Sequence, residues 1–273
     1  MSRHQPTQRI TVPEIAARKG SEAIVCLTAY TAPMAELLDP HVDLLLVGDT
    51  VGMVVHGLPT TVGVTLEMMI LHGQAVMRGS SRALVVVDLP FGTYEQSPEM
   101  AYRSAVELMK KTGCQAVKVE SGEGIANTIA FLVQRGIPVI GHVGLRPQSV
   151  HIDGGFKAKG RSAGERETVL AEALAADQAG AFAIVIEGVA SDLAEEITGK
   201  VRAPTIGIGA SPQCDGQILV TDDMLGLFDW TPKFVRRYAN LRENITRAVA
   251  AYASDVRSRQ FPGKAELYAF KGR

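Results

Sequence analysis

Leu44-Leu45-Leu46-Val47-Gly48-Asp49-Thr50 runs four apolar residues straight into a glycine, a carboxylate and a hydroxyl. An unbroken apolar run of this length suits a strand covered on both faces, as in a parallel sheet, because a half-exposed strand alternates. The design recurs at Leu84-Val85-Val86-Val87-Asp88, at Ala116-Val117-Lys118-Val119-Glu120 and at Ala183-Ile184-Val185-Ile186-Glu187. Four apolar strands each deliver an acid. One strand-end acid alone reads as an ion pair or a helix cap; four in one chain point to acids gathered on one rim.

Outward from these strands, helix signals alternate with further strands. Thr11-Val12-Pro13-Glu14 starts a helix with a threonine cap and an early proline, placed before the first strand (residues 23–29) as a plug for one end. Residues 32–38 form a short helix, residues 52–63 a glycine-containing loop, and Thr65 caps the helix carrying Leu66, Met69, Ile70 and Val76. Ser97-Pro98-Glu99 opens another helix that closes on Lys110, Lys111 and Gly113. A helix over 125–135 leads to strand five (138–143), which contains His142. Residues 144–164 have no helical or strand period and read as a long loop, a class that is usually functional or disordered. Ser162 and Glu165 form a capping box for a helix ending at Gly180, and Ser191 caps one ending at Gly199. Strands seven (204–208) and eight (217–220) complete the series, and residues 234–260 carry Leu241, Ile245, Val249 and Tyr252 at helical spacing.

Eight strands alternating with helices, with no linker or compositional break, give an α/β chain. The fold expected is a single (β/α)8 TIM barrel over residues 1–273, with an extra N-terminal helix and C-terminal helices. The 273 residues suit a barrel, which takes about 250. An open doubly wound sheet is the alternative, but no glycine-rich turn follows strand one. In a barrel the C-terminal strand ends share one face, so the acids converge.

The formal net charge of −1 gives no global field for nucleic acid or an anionic membrane. No run approaches the roughly 18 apolar residues of a membrane span, and the polar residues 1–8 argue against a signal peptide, so a cytoplasmic protein is expected. Cys26, Cys114 and Cys214 are widely spaced, without zinc-ligand spacing, and read as reduced buried thiols.

Asp49 and Asp88, from adjacent strands, can ligate a hard divalent cation, with Glu120 completing the set or holding a bound water. Lys118 shares a strand face with Glu120, as an ion pair or as a hook for a substrate carboxylate. His142 reads as a core histidine or, beside a metal, as a group orienting an oxyanion. Glu187 follows a wholly apolar strand, where desolvation would fit it to accept a proton near neutral pH. The segment Gly207-Ile208-Gly209-Ala210-Ser211 allows phosphate binding after strand seven, or merely tight packing.

At these residues the chain resembles the ketopantoate (3-methyl-2-oxobutanoate) hydroxymethyltransferase family. The matching blocks are 47–53, 88–92, 117–120, 141–148, Glu187 and 205–210, in family order and spanning about residues 11–262. One departure is Thr50, where the family often has serine; the hydroxyl is kept. The resemblance implies transfer of a hydroxymethyl group from 5,10-methylenetetrahydrofolate to 3-methyl-2-oxobutanoate, giving ketopantoate for pantothenate and coenzyme A biosynthesis. It implies Mg²⁺ held by Asp49 and Asp88 with Glu120 behind, carboxylate binding by Thr50 and Lys118, Glu187 as the base and His142 in support. It also implies a homodecamer of stacked pentamers. Oxygen ligands accept Mn²⁺ and Co²⁺ as well. The rivals are a carbon–carbon lyase of the phosphoenolpyruvate mutase type and a non-catalytic metabolite-binding barrel.

Overall fold

The computed structural model describes residues 9–268. Eight parallel strands close on themselves in chain order, β1 pairing with both β2 and β8. They are β1 (Ile24–Thr28), β2 (Leu44–Val47), β3 (Leu84–Asp88), β4 (Ala116–Glu120), β5 (Val139–Gly144), β6 (Ala183–Glu187), β7 (Thr205–Ile208) and β8 (Gly216–Leu219). The (β/α)8 barrel expected from the apolar runs is the fold, and residues 1–8, read as a polar N-terminus, lie outside the described residues.

Alternation along each strand divides the core in two. Ile24, Cys26, Leu44, Leu46, Leu84, Val86, Ala116, Ile140, Ala183, Val185, Ile206 and Ile218 point inward and form one cluster, joined by Ile15 from the helix Val12–Ala16. That helix supplies the expected plug. The opposite parity, including Leu45, Val47, Val85, Val87, Val117, Val119, Ile184 and Ile186, packs against the surrounding helices. All residues of β2, β3, β4 and β5 are buried, which is why their sequences lack alternation. β8 differs: Gln217 is exposed while Gly216 and Ile218 are buried, so its sequence carries no continuous apolar signal. A Cβ at Gly216 would stand 2.5 Å from the backbone oxygen of Ile24, so a glycine is required where the barrel closes.

The cap chemistry holds in most places. Thr65 accepts from the Met68 N–H and Ser97 from that of Met100, starting the helices Leu66–Gly79 and Pro98–Thr112. The box at Ser162 is only half made: Ser162 Oγ accepts from the Glu165 N–H, but the Glu165 carboxylate takes the N–H of Arg161. The helix it opens ends at Gln178, before Gly180. Ser191 sits inside the helix Ser191–Lys200, with Ala190 at the cap, and its hydroxyl donates to Glu195. Residues 144–164 are not one long loop, because a 3-10 turn (Pro147–Ser149) and a short helix (Val150–Asp153) lie in them. Residues 52–63 likewise hold most of the helix Val51–Val54 and the turn Thr61–Gly63. Helices of three or four residues are too short to leave a period in sequence. Cys26, Cys114 and Cys214 are buried free thiols.

The chain forms two compact units, divided between Val220 and Thr221. The second contains the short helix Thr221–Met224 and the helix Leu241–Arg257, capped by Asn240 and therefore shorter than the expected 234–260. Backbone bonds from Tyr238 to Met224 and from Leu241 to Leu225 tie its two halves. No helix among the described residues is long and apolar enough to cross a membrane.

Candidate active site

At the C-terminal ends of the strands the inward positions change from apolar to ionisable. Asp88 continues the inward column of Leu84 and Val86, Lys118 and Glu120 that of Ala116, His142 that of Ile140, and Glu187 that of Ala183 and Val185. Parallel register sets Asp88 beside Lys118 and Glu120 beside His142. Asp49 arrives from the turn after β2. A Cβ at Gly48 would stand 2.9 Å from the Thr50 hydroxyl and 3.6 Å from Asp88 Oδ2, so the absence of a side chain there keeps the approach open.

The contacts are specific. Asp88 Oδ2 accepts from the backbone N–H of Asp49 at 3.0 Å and from Lys118 Nζ at 3.1 Å. Lys118 Nζ also lies 3.3 Å from His142 Nδ1. An ammonium only donates, so Nδ1 is the acceptor and the neutral ring carries its proton on Nε2. That Nε2 stands 3.2 Å from Glu187 Oε2, out of line for a hydrogen bond. Thr50 Oγ1 is 2.8 Å from the Tyr30 hydroxyl.

Burial sets the electrostatics. It raises Asp49, with Asp88 next in effect, to about 7. Burial also raises Asp88 despite Lys118, and it raises Glu120, with Asp49 adding to the effect. On Lys118 burial opposes the charge, but Asp88, Asp49 and Glu120 together outweigh it and keep the ammonium charged. His142 is lowered by burial and by Lys118, which favours the neutral ring. The Glu187 side chain keeps 18% of its surface exposed, so it is less secluded than its apolar strand suggested.

This surplus of buried carboxylate, set against one lysine, is what a cation relieves. Asp88 Oδ1 is buried without a hydrogen-bond partner. Among the described residues no three His, Cys, Asp or Glu side chains form a metal cluster. Carboxylate oxygens are the donors a hard divalent ion takes, so the chemistry of Asp49 and Asp88 is compatible with such an ion.

The family model described as ketopantoate hydroxymethyltransferase matches residues 9–264. The chain belongs to that family. Among ketopantoate hydroxymethyltransferase relatives, the 3-methyl-2-oxobutanoate hydroxymethyltransferase of Phenylobacterium zucineum is 71% identical, over 98% of this chain and 98% of its own. Those of Hyphomonas neptunium and Caulobacter vibrioides are 66% and 67% identical over at least 98% of each chain. This ketopantoate hydroxymethyltransferase family member is thus a transferase. Two solved structures share its fold. A phosphonopyruvate hydrolase complex with oxalate and Mg²⁺ has a TM-score of 0.60 at 15% identity, covering 96% of this chain and 93% of the other. A 2,3-dimethylmalate lyase of the PEP mutase/isocitrate lyase superfamily has a TM-score of 0.61 at 17% identity, covering 94% and 89%. At such identities they speak for the fold alone.

All seven residues singled out from sequence, Asp49, Thr50, Asp88, Lys118, Glu120, His142 and Glu187, lie at the C-terminal ends of β2 to β6 or in the turn directly after β2. Sequence reasoning missed Gln148. Its Nε2 donates to Asp49 Oδ2 at 2.8 Å and to the Leu89 carbonyl at 3.0 Å, and its backbone N–H donates to Glu120. It also missed Tyr94, whose buried hydroxyl donates to Gln148 Oε1 at 2.6 Å and accepts from the Glu120 N–H. Their cue was faint: a glutamine and a tyrosine in segments full of Gly and Pro. The Gly207–Ser211 segment serves packing. A Cβ at Gly207 would meet Cys214 and Gln217 at 3.1 Å, and the Ser211 hydroxyl donates to Glu195, a poor neighbour for phosphate.

Proposed function

We propose that the chain transfers a hydroxymethyl group from 5,10-methylenetetrahydrofolate to 3-methyl-2-oxobutanoate, giving ketopantoate for pantothenate biosynthesis. The observation that carries this reading is the rim itself: a charged lysine among three buried carboxylates, with Glu187 at its half-open edge. Mg²⁺ held by Asp49 and Asp88, with Glu120 behind, would supply Lewis acidity where negative charge develops on the oxoacid oxygens.

The chain's own groups do the rest. Lys118 uses two of its three N–H donors on Asp88 and His142, leaving one for the substrate carboxylate. The Thr50 hydroxyl, steadied by Tyr30, offers that carboxylate a second donor. Glu187 takes the C3 proton, with the neutral His142 ring 3.2 Å from its carboxylate. Water adds to the folate-borne methylene carbon as its two C–N bonds break, giving formaldehyde and tetrahydrofolate; the carbanionic C3 then adds to the formaldehyde carbon, and the alkoxide takes a proton to become the hydroxymethyl group.

A homodecamer in the cytoplasm belongs to the same reading. It is supported by the apolar face of Ile245, Val249, Tyr252 and Val256, exposed at helical spacing on Leu241–Arg257.

The test is to incubate the purified protein with Mg²⁺ and 3-methyl-2-oxobutanoate in deuterated water and follow the C3 proton by NMR. The expected result is exchange at C3 without folate, and ketopantoate only when methylenetetrahydrofolate is added. A C3 signal that persists, with no folate-dependent product, overturns the reading.

A further inference from the structure

Beside the acid rim, the chain brings two imidazoles together. His72, on the helix Leu66–Gly79, and His56, which follows Val51–Val54, place their Nε2 atoms 2.9 Å apart, with ring centroids separated by 5.1 Å and planes at 77°. His72 Nδ1 lies 2.7 Å from the backbone carbonyl of Tyr30. A carbonyl only accepts, so His72 carries its proton on Nδ1 and, while neutral, presents an Nε2 lone pair toward His56. His56 is exposed.

We propose that His56 and His72 form a second cation site, for a divalent transition metal of the zinc class, separate from the acid rim. Zinc–nitrogen bonds of about 2.05 Å in tetrahedral array hold two ring nitrogens about 3.3 Å apart and their ring centroids about 5.2 Å apart. The centroids already meet that requirement, and a small tilt of the exposed His56 ring opens the nitrogens by a few tenths of an ångström. The anchoring of His72 Nδ1 on a carbonyl is how metal-bound histidines are held, because it fixes the tautomer and aims the other nitrogen. No third His, Cys, Asp or Glu completes a cluster among the described residues, so the remaining positions fall to water or an added ligand. Ligand chemistry separates the two sites: imidazole suits zinc, copper and nickel, while the aspartate oxygens suit magnesium. The site also touches the acid rim's surroundings, since Tyr30, which holds His72 through its carbonyl, meets Thr50 through its hydroxyl.

The test is a Zn²⁺ titration of the full chain kept saturated with Mg²⁺, read with a competing chromophoric chelator and by NMR of ¹⁵N-labelled histidine. Wild type should bind one more zinc ion per chain than His56→Gln, whose affinity at this site falls at least about tenfold, and the Nε2 resonances of His56 and His72 should shift together. His56→Ala, which leaves the Tyr30 carbonyl bond to His72 in place, should lose the same ion. Equal zinc isotherms for wild type and both variants, or Nε2 resonances that do not move, overturn the proposal. The outcome does not depend on the transferase reading, since no turnover is measured.

Discussion

The backbone N–H of Asp49 donates to Oδ2 of Asp88 at 3.0 Å, so the turn after β2 is held by the side chain that ends β3. One Asp88 oxygen thereby positions both Asp49 and Lys118, and the other, Oδ1, is left buried without a hydrogen-bond partner. Asp88→Asn keeps the shape and removes the charge. Mn²⁺ affinity, read by electron paramagnetic resonance as a substitute for Mg²⁺, should fall on the order of 100-fold or more. Wild-type affinity in the variant would remove Asp88 from the metal role.

Glu187→Gln tests the base. The amide keeps the contact with His142 Nε2 but cannot take a proton. C3 exchange should drop by about 10²- to 10⁴-fold, while binding of 3-methyl-2-oxobutanoate, measured calorimetrically with Mg²⁺, stays within a few fold of wild type. Unchanged exchange would assign the base elsewhere.

Gln148 has no ambiguity of orientation. The Leu89 carbonyl only accepts, so the NH₂ group must face it, and Asp49 Oδ2 must then receive the second N–H. Gln148→Leu strands the Leu89 carbonyl and the Tyr94 hydroxyl and frees Asp49. Stability to urea should fall by about 2–3 kcal/mol, and Mn²⁺ affinity by about 10- to 100-fold. A loss of stability with undiminished metal affinity would make Gln148 a packing residue only.

Thr50 isolates the hydroxyl from the rest of its side chain. Thr50→Ser should leave KM for the 2-oxoacid nearly unchanged, whereas Thr50→Val, isosteric but without the donor, should raise it about tenfold. Steady-state kinetics on the pair decide; equal KM values for all three proteins would remove the contact.

Asp39 offers a pH test away from the rim. Burial alone would raise it, but N–H donations from Ala83, Ser81 and Arg82 outweigh burial and hold it below the usual carboxylate range. A folded-state pKa below the unfolded one contributes stability that is complete well above pH 4 and is lost as pH falls through the folded value. Asp39→Asn should therefore cost about 2–3 kcal/mol at pH 7 and lose less stability than wild type between about pH 4 and pH 2. Parallel acid limbs in urea denaturation would show that Asp39 does not carry this dependence.

The sequence by itself determined the barrel and most of its rim. Apolar runs of four or five residues are legible because strands wrapped by helices are buried on both faces, and an acid ending such a run breaks the pattern visibly. Asp88, Glu120 and Glu187 were conspicuous for that reason, and Lys118 and His142 because they interrupt an apolar strand. Only the tertiary structure decided what these groups do to one another. Whether Asp88 pairs with Lys118, which nitrogen of His142 bears the proton, and how exposed Glu187 remains depend on register between strands and on the twist that closes the ring. Gln148 and Tyr94 were silent because hydrogen-bonding side chains in irregular segments have no period. The pairing of His56 with His72, sixteen residues apart, was equally invisible, since it exists only where the turn after β2 folds back against the helix Leu66–Gly79.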